Sequence, residues 1–211
     1  MDSNPTTYVQ TVDSVMIFII SISLIFLIGI TATMIYFVFK YNRKKGVKPV
    51  DIHGSILLET IWFVIPFLLV MGMFYYGFIG YKEFKEVPED ALEIDVTARM
   101  WDWDFVYENG MNLDTLYVPQ NKPIKLNMIS ADVNHSFFIP AFRIKMDVIA
   151  GSTHYLVFKP EEVGSYNVAC AEYCGLQHSA MYTKVVVMPE DKYMAWYNSK
   201  SENDSDNSIK N

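Results

Sequence analysis

Residues 60–98 read TIWFVIPFLLVMGMFYYGFIGYKEFKEVPEDALEIDVTA, and the change of pattern inside this stretch decides the fold. From Thr60 to Tyr81 there is no Asp, Glu, Lys, Arg or His. A helix rising about 1.5 Å per residue needs about 20 residues to cross roughly 30 Å of hydrocarbon, so this run is long enough to span a membrane. Lys82, Glu83, Lys85 and Glu86 then make a charged linker. From Leu92 to Ala98 apolar and polar residues alternate, with Leu92, Ile94 and Val96 on one face. A period of two marks a half-buried strand. A membrane helix therefore gives way to a β domain near residue 82.

Toward the N-terminus the same apolar character recurs from Ser14 to Phe39. The loop between the two runs carries Lys40, Arg43, Lys44, Lys45 and Lys48. Positive loops stay in the cytoplasm. The N-terminus, with Asp2 and Asp13, then lies outside, as does everything after Tyr81. The first run lacks a basic leader and an A-x-A-like cleavage site, so we read it as a retained helix. The expected organisation is an outer segment 1–13, a first span 14–39, a basic cytoplasmic loop 40–55, a second span 56–81, an outer domain 82–198 and a disordered polar tail 199–211.

Overall the chain is 51% hydrophobic and 19% charged, but these averages cover two unlike halves. After Tyr81 there are 20 acids against 12 bases, a net charge near −8. That argues against nucleic acid and for a basic protein partner.

Past residue 98 the alternation continues. Trp101, Trp103, Phe105 and Tyr107 share one face, and Asn109-Gly110 marks a turn. Further alternating runs are 123–129, 154–158, 165–169 and 182–187. Short strands with turns about every ten residues point to a β-sandwich. Pro189 to Tyr197 reads as one short closing helix, with Pro in its first turn.

The chemistry concentrates in Cys170-Ala-Glu-Tyr-Cys-Gly-Leu-Gln-His-Ser-Ala-Met181, which holds the chain's two cysteines. Thiolate and thioether select copper or zinc, and imidazole suits both. One ion would be over-supplied with sulfur. Two coppers bridged by Cys170 and Cys174 would use the whole set, with His178 capping one and Met181 weakly ligating. A carbonyl near Glu172 could cap the other, and a second imidazole must come from elsewhere. His135, in Asp132-Val-Asn-His-Ser-Phe-Phe-Ile-Pro140, follows a predicted strand that could deliver it to the same end of the sandwich. His53 falls in the cytoplasmic loop, and His154 opens a strand as an ordinary sheet residue. A disulfide is the plain alternative, in a compartment where disulfides persist. So small a loop gains little from closure, and the nearby His and Met would be left unexplained. Zinc is a second alternative, but Met is a poor zinc ligand.

Cys170-x-Glu-x-Cys-Gly-x-x-His-x-x-Met181 resembles the dinuclear copper (CuA) signature of the cytochrome c oxidase subunit II family. Asp132-Val-x-His-Ser, Pro140, Lys145-x-Asp147 and Gly151 resemble its first-histidine segment. Trp101-x-Trp103 with Phe105 and Tyr107 resembles its aromatic strand, and Glu59-Thr-Ile-Trp-Phe-Val-Ile-Pro66 the start of its second membrane helix. The likeness covers roughly residues 14–197.

The resemblance implies a two-helix transmembrane hairpin followed by an all-β cupredoxin-like sandwich. It implies bridging by Cys170 and Cys174, terminal ligation by His135 and His178, and weak axial ligation by Met181 and the Glu172 carbonyl. The Glu172 side chain would reach a magnesium at the interface with subunit I. Trp101 would receive electrons from cytochrome c, and Glu59 would stand at the mouth of a proton channel of subunit I. The implied partners are subunit I, subunit III, cytochrome c and membrane lipid. The implied setting is a bacterial plasma membrane with the copper domain outside.

Some residues depart from many relatives. Arg143, Asp102 and Asp104 change the presumed docking surface but not the ligands. No Cys-x-x-Cys-His occurs in residues 1–211, so we expect no fused c-type haem site and a separate protein as the electron donor. A quinol oxidase subunit would lack the ligands. A single-copper carrier would need neither Trp101 nor Glu59, and the copper domain of nitrous oxide reductase lacks such an anchor. A copper-containing subunit of a nitric oxide reductase remains the alternative, which only the partner subunit would separate.

Overall fold

A computed structural model of the chain describes residues 5–46, 51 and 53–208. Asp2 and Lys48 lie outside the described residues, as do the last three of the expected tail. Two compact units emerge: residues 12–81, and a second that joins the residues before Val12 to those from Lys82 onward.

The first unit is helical. Helix α1 (Thr7–Lys40) and helix α2 (Ile56–Glu83) are both long and apolar enough to cross a membrane. Their polar interruptions are locally satisfied. Ser21, Ser23 and Thr33 donate their hydroxyls to the carbonyls of Ile17, Ile19 and Gly29 at 2.7–2.9 Å. In hydrocarbon a polar group must find its partner within the protein, and the preceding turn supplies one. Lys40, in the last turn of α1, lays its ammonium over the rings of Tyr36 and Tyr41 at 5.1 and 5.4 Å. Such long basic side chains reach from a helix end toward the polar interface.

α1 begins at Thr7, earlier than the Ser14 expected from hydropathy. Its first turn belongs to the second unit. Thr6 bridges to Pro160, the Glu161 N–H donates to the Pro5 carbonyl at 2.9 Å, and Tyr8 stacks on Phe84 at 4.3 Å. Thr6, Tyr8 and Val9 are buried. A membrane scale cannot see this, because these residues are held by the β domain and not by lipid.

The second unit is a sandwich of two five-stranded sheets. One carries β1 (Leu92–Arg99), β2 (Asp102–Tyr107), β3 (Asn112–Leu113), β5 (Ile124–Ser130) and β8 (His154–Phe158) in the order β3-β2-β1-β5-β8. The other carries β4 (Leu116–Pro119), β6 (His135–Ile139), β7 (Ile144–Val148), β9 (Gly164–Cys170) and β10 (Tyr182–Met188) in the order β4-β10-β9-β6-β7. The inward faces supply the core. Ile94, Val96 and Ala98 come from β1, Trp103 and Phe105 from β2, Leu126 and Met128 from β5, and Phe137 and Ile139 from β6. Trp103 meets Phe137 edge to face, with ring centroids 5.0 Å apart. That is the favoured geometry for aromatic pairs.

His135 follows β5, which ends at Ser130 as expected, and itself opens β6. Two expectations shift. Trp101 lies in the turn before β2 rather than within the strand. The closing helix α3 (Glu190–Ser208) runs on through much of the segment read as disordered. No Gly or Pro interrupts it, and Glu190 and Asp191 in its first turn suit the helix dipole.

Candidate metal centre

Strand register brings the candidate ligands to one pole. β6 runs antiparallel to β9 with Phe137 opposite Cys170, so the start of β6 lies beside the end of β9. β10 leaves β9 with Tyr182 opposite Ala169, so the loop 171–181 must arch over the same pole. The loop is closed at its base by the Cys170 N–H on the Met181 carbonyl at 3.1 Å, and tied to β6 by the Ala171 N–H on the Ser136 carbonyl at 2.9 Å. Within it, Gly175 takes a positive φ of 118° and His178–Ala180 form a single 3-10 turn. These turns point the side chains of Cys174, His178 and Met181 back toward Cys170.

Both cysteines are free thiols and buried, with sulfurs 3.7 Å apart. Each sulfur has its own imidazole. His135 Nδ1 lies 3.9 Å from Cys170 Sγ, and His178 Nδ1 lies 3.6 Å from Cys174 Sγ. Each also has a weaker donor: the Glu172 carbonyl is 3.2 Å from Cys170 Sγ, and Met181 Sδ is 3.7 Å from Cys174 Sγ. The metal-binding atoms of His135, Cys170 and Cys174 all fall within 4.8 Å of one another. A metal–thiolate bond is about 2.3 Å, so sulfurs this close can share an ion. The donors divide into two matching halves around the sulfur pair. Such a set serves two soft ions better than one, and its sulfur and imidazole content suits copper.

Surrounding groups fix the ligands. His135 is fully buried, and its Nε2 bonds Asp132 Oδ1 at 2.8 Å. With Nε2–H given to a carboxylate, Nδ1 is left free to face Cys170. Burial works against the ionised form of Asp132, but its bonds from His135, Met100 and Val133 outweigh this and hold its carboxyl below the usual range. The edge of Trp103 stands against the His135 ring at 6.1 Å. Burial, reinforced by the neighbouring Cys170 sulfur, pushes the Cys174 thiol up. His178 is half-buried, with the exposed Tyr173 ring 5.8 Å away.

Trp101 is half-buried and packs on Gly175, next to Cys174. The Glu172 side chain is exposed while its carbonyl turns inward. Glu59 stands in the first turn of α2 and belongs to the helical unit. His154 opens β8 opposite Met128 and contributes nothing to the cluster. Sequence reading missed Asp132 and Gly175 as supporting residues. An acid three residues before a candidate ligand histidine, and a glycine directly after a candidate ligand cysteine, were the available signals.

Comparison with known proteins agrees with this geometry. The family profile for the cytochrome c oxidase subunit II periplasmic domain matches residues 68–188, and that for its transmembrane domain matches residues 2–78. A cytochrome c oxidase subunit 2 of Alkalihalophilus pseudofirmus is 33% identical over 190 residues, covering 84% of this chain and 56% of the relative. The chain thus spans little more than half of that relative's length. An alternative cytochrome c oxidase subunit 2 of Bradyrhizobium diazoefficiens is 31% identical over 195 residues, covering 77% of this chain and 70% of the relative. The crystal structure of the periplasmic domain of subunit II of cytochrome oxidase of Bradyrhizobium japonicum aligns with a TM-score of 0.53 at 28% identity, covering 56% of this chain and 99% of that one. The sandwich is therefore cupredoxin-like, carried behind two apolar helices, and the chain belongs to the cytochrome c oxidase subunit II family.

Proposed function

We propose that this chain is the electron-accepting subunit of a proton-pumping cytochrome c oxidase, holding a dinuclear copper centre between Cys170 and Cys174. It takes electrons one at a time from a cytochrome c and delivers them to the haem of subunit I, where oxygen is reduced to water. The observation that carries this reading is the pair of free sulfurs 3.7 Å apart, each with its own imidazole. Bound copper supplies a one-electron couple. The chain's residues would supply the rest: His135 and His178, with Cys170 and Cys174, would hold the copper, Met181 and the Glu172 carbonyl would be weaker donors, and burial of the two sulfurs would keep water away. A preformed set of ligands changes little between redox states.

Trp101 receives the electron from cytochrome c at the surface beside this loop. The acidic outer domain steers a basic donor, which raises the on-rate in a salt-dependent way. Glu172 reaches a magnesium shared with subunit I, and Glu59 admits protons to its channel. Subunits I and III and lipid surround the two helices in a bacterial plasma membrane, with the N-terminus and sandwich outside.

The test is to load the purified full-length chain with copper. Two coppers per chain, with a paramagnetic resonance spectrum split by both nuclei, is the expected result. One copper, or an electron localised on one nucleus, overturns it.

A further inference from the structure

The parallel register of β1 and β5 pairs Ala98 with Ser130, and the Ala131 N–H donates to the Ala98 carbonyl at 2.9 Å. Continuing that register by two residues sets Asp132 beside Met100. The Met100 N–H donates to Asp132 Oδ2 at 2.7 Å. The other oxygen, Oδ1, holds His135 Nε2 at 2.8 Å and the Val133 N–H at 2.6 Å. A purely local turn would need only the Val133 bond. Here one carboxylate uses both oxygens, and its partners are a ligand candidate on β6 and the residue directly before Trp101.

On its far side the Trp101 turn meets Gly175, whose neighbour Cys174 is the second bridging candidate. The turn is thus held between Asp132, through the Met100 N–H, and the ligand loop, through the Trp101 ring. Both contacts lead to the metal centre.

We propose that Asp132 is a positioning residue that ties the electron-receiving tryptophan to the copper ligand His135, fixing the separation of donor-side ring and metal site through the two oxygens of one carboxylate. The inference rests on the roles of Trp101 and His135 given above. Its physical basis is that supporting carboxylates orient ligand imidazoles, and losing one typically costs about 10–100-fold in affinity or activity.

The experiment compares Asp132→Ala and Asp132→Asn with the parent, in the full-length chain. Three quantities are read. The first is solvent exchange of the His135 Nε2 proton by nuclear magnetic resonance in the copper-loaded protein. The second is acrylamide quenching of Trp101 fluorescence, isolated by subtracting a Trp101→Phe background. The third is electron uptake from reduced cytochrome c. Asp132→Ala is expected to speed proton exchange, raise Trp101 quenching and slow electron uptake by about tenfold, with both coppers retained. An unchanged proton exchange or an unchanged quenching in a copper-loaded Asp132→Ala protein overturns the tie.

Should Asp132→Ala fail to bind copper, Asp132→Asn decides. The amide oxygen can stand in for only one of the two carboxylate oxygens, and the NH2 at the other position faces a donor it cannot accept from, so at least one of the two probes must move, and two unmoved probes overturn the proposal. Trp101→Phe alone separates the underlying reading. If it leaves electron uptake unchanged, Trp101 is not the receiving residue, while proton exchange and quenching still decide whether Asp132 links the two segments.

Discussion

Gly175 gives the Trp101 indole its seat: a β-carbon at Gly175 would lie 3.4 Å from Trp101 Nε1 and 3.5 Å from its Cζ2. The glycine also holds a φ of +118°, which side-chain-bearing residues rarely adopt. Gly175→Ala therefore meets backbone strain of about 1–3 kcal/mol, and relieving it shifts the seat on which the indole rests in van der Waals contact. We expect a lower thermal midpoint and greater acrylamide quenching of Trp101. The copper content should stay at two, because the cysteines on the loop are unchanged. A variant with parent stability and parent quenching would show that the contact is incidental.

Met181 is fully buried, with its sulfur 3.7 Å from Cys174 Sγ. Leucine fills nearly the same volume, and such swaps cost under about 1.5 kcal/mol. Met181→Leu should fold, bind both coppers and change their hyperfine pattern and reduction potential, since a weak axial sulfur tunes such centres. Met181→Ala adds a cavity and should lose about 2–5 kcal/mol. A Met181→Leu spectrum identical to the parent would remove Met181 from the ligand set.

Elements with clean periodicity are legible in the amino-acid pattern alone. The run 92–98 and the 182–187 alternation correspond to β1 and β10, because each has one face in the core and one toward solvent. β6 is not legible in this way. Its residues His135, Ser136, Phe137 and Ile139 are all buried, so apolar and polar residues do not alternate with exposure. β3 and β4 are too short to establish a period. The N-terminal strap at Thr6 and Tyr8 depends on contacts with Pro160 and Phe84, which no local pattern encodes. The ligand loop is legible as chemistry because its donors sit within twelve residues. The link from Asp132 to Met100 is hidden from any local reading, since it follows from the β1–β5 register.

Burial pushes the Cys174 thiol up, and the nearby Cys170 sulfur adds to the effect. Metal ligation needs the thiolate, so copper uptake must release protons. In lightly buffered solution at neutral pH, loading should acidify the medium, and apparent affinity should rise with pH until the thiol ionises unaided. The copper-free thiols should also alkylate slowly at neutral pH and faster as pH rises. Loading without proton release would mean that the cysteines are already thiolates, and the burial argument would fail.

Asp147, opposite Ser136 on β7 and not itself a ligand candidate, offers a pH test. Its carboxyl is held below the usual range first by Lys145, whose ammonium bonds it, and then by the Ser136 hydroxyl at 2.8 Å, against a smaller cost of burial. A carboxyl whose folded value lies below its unfolded value of about 3.9 stabilises the fold at higher pH. That contribution is complete above the unfolded value and is lost as pH falls through the folded one. Lys145 and Asp147 are both substantially exposed, so the effect is modest at neutral pH. Asp147→Asn should leave the neutral thermal midpoint nearly unchanged, because the amide oxygen still accepts from Ser136. Below about pH 4 the parent should lose stability more steeply than the variant. Parallel acid profiles for the two proteins would show that the Lys145–Asp147 pair does not contribute to acid stability.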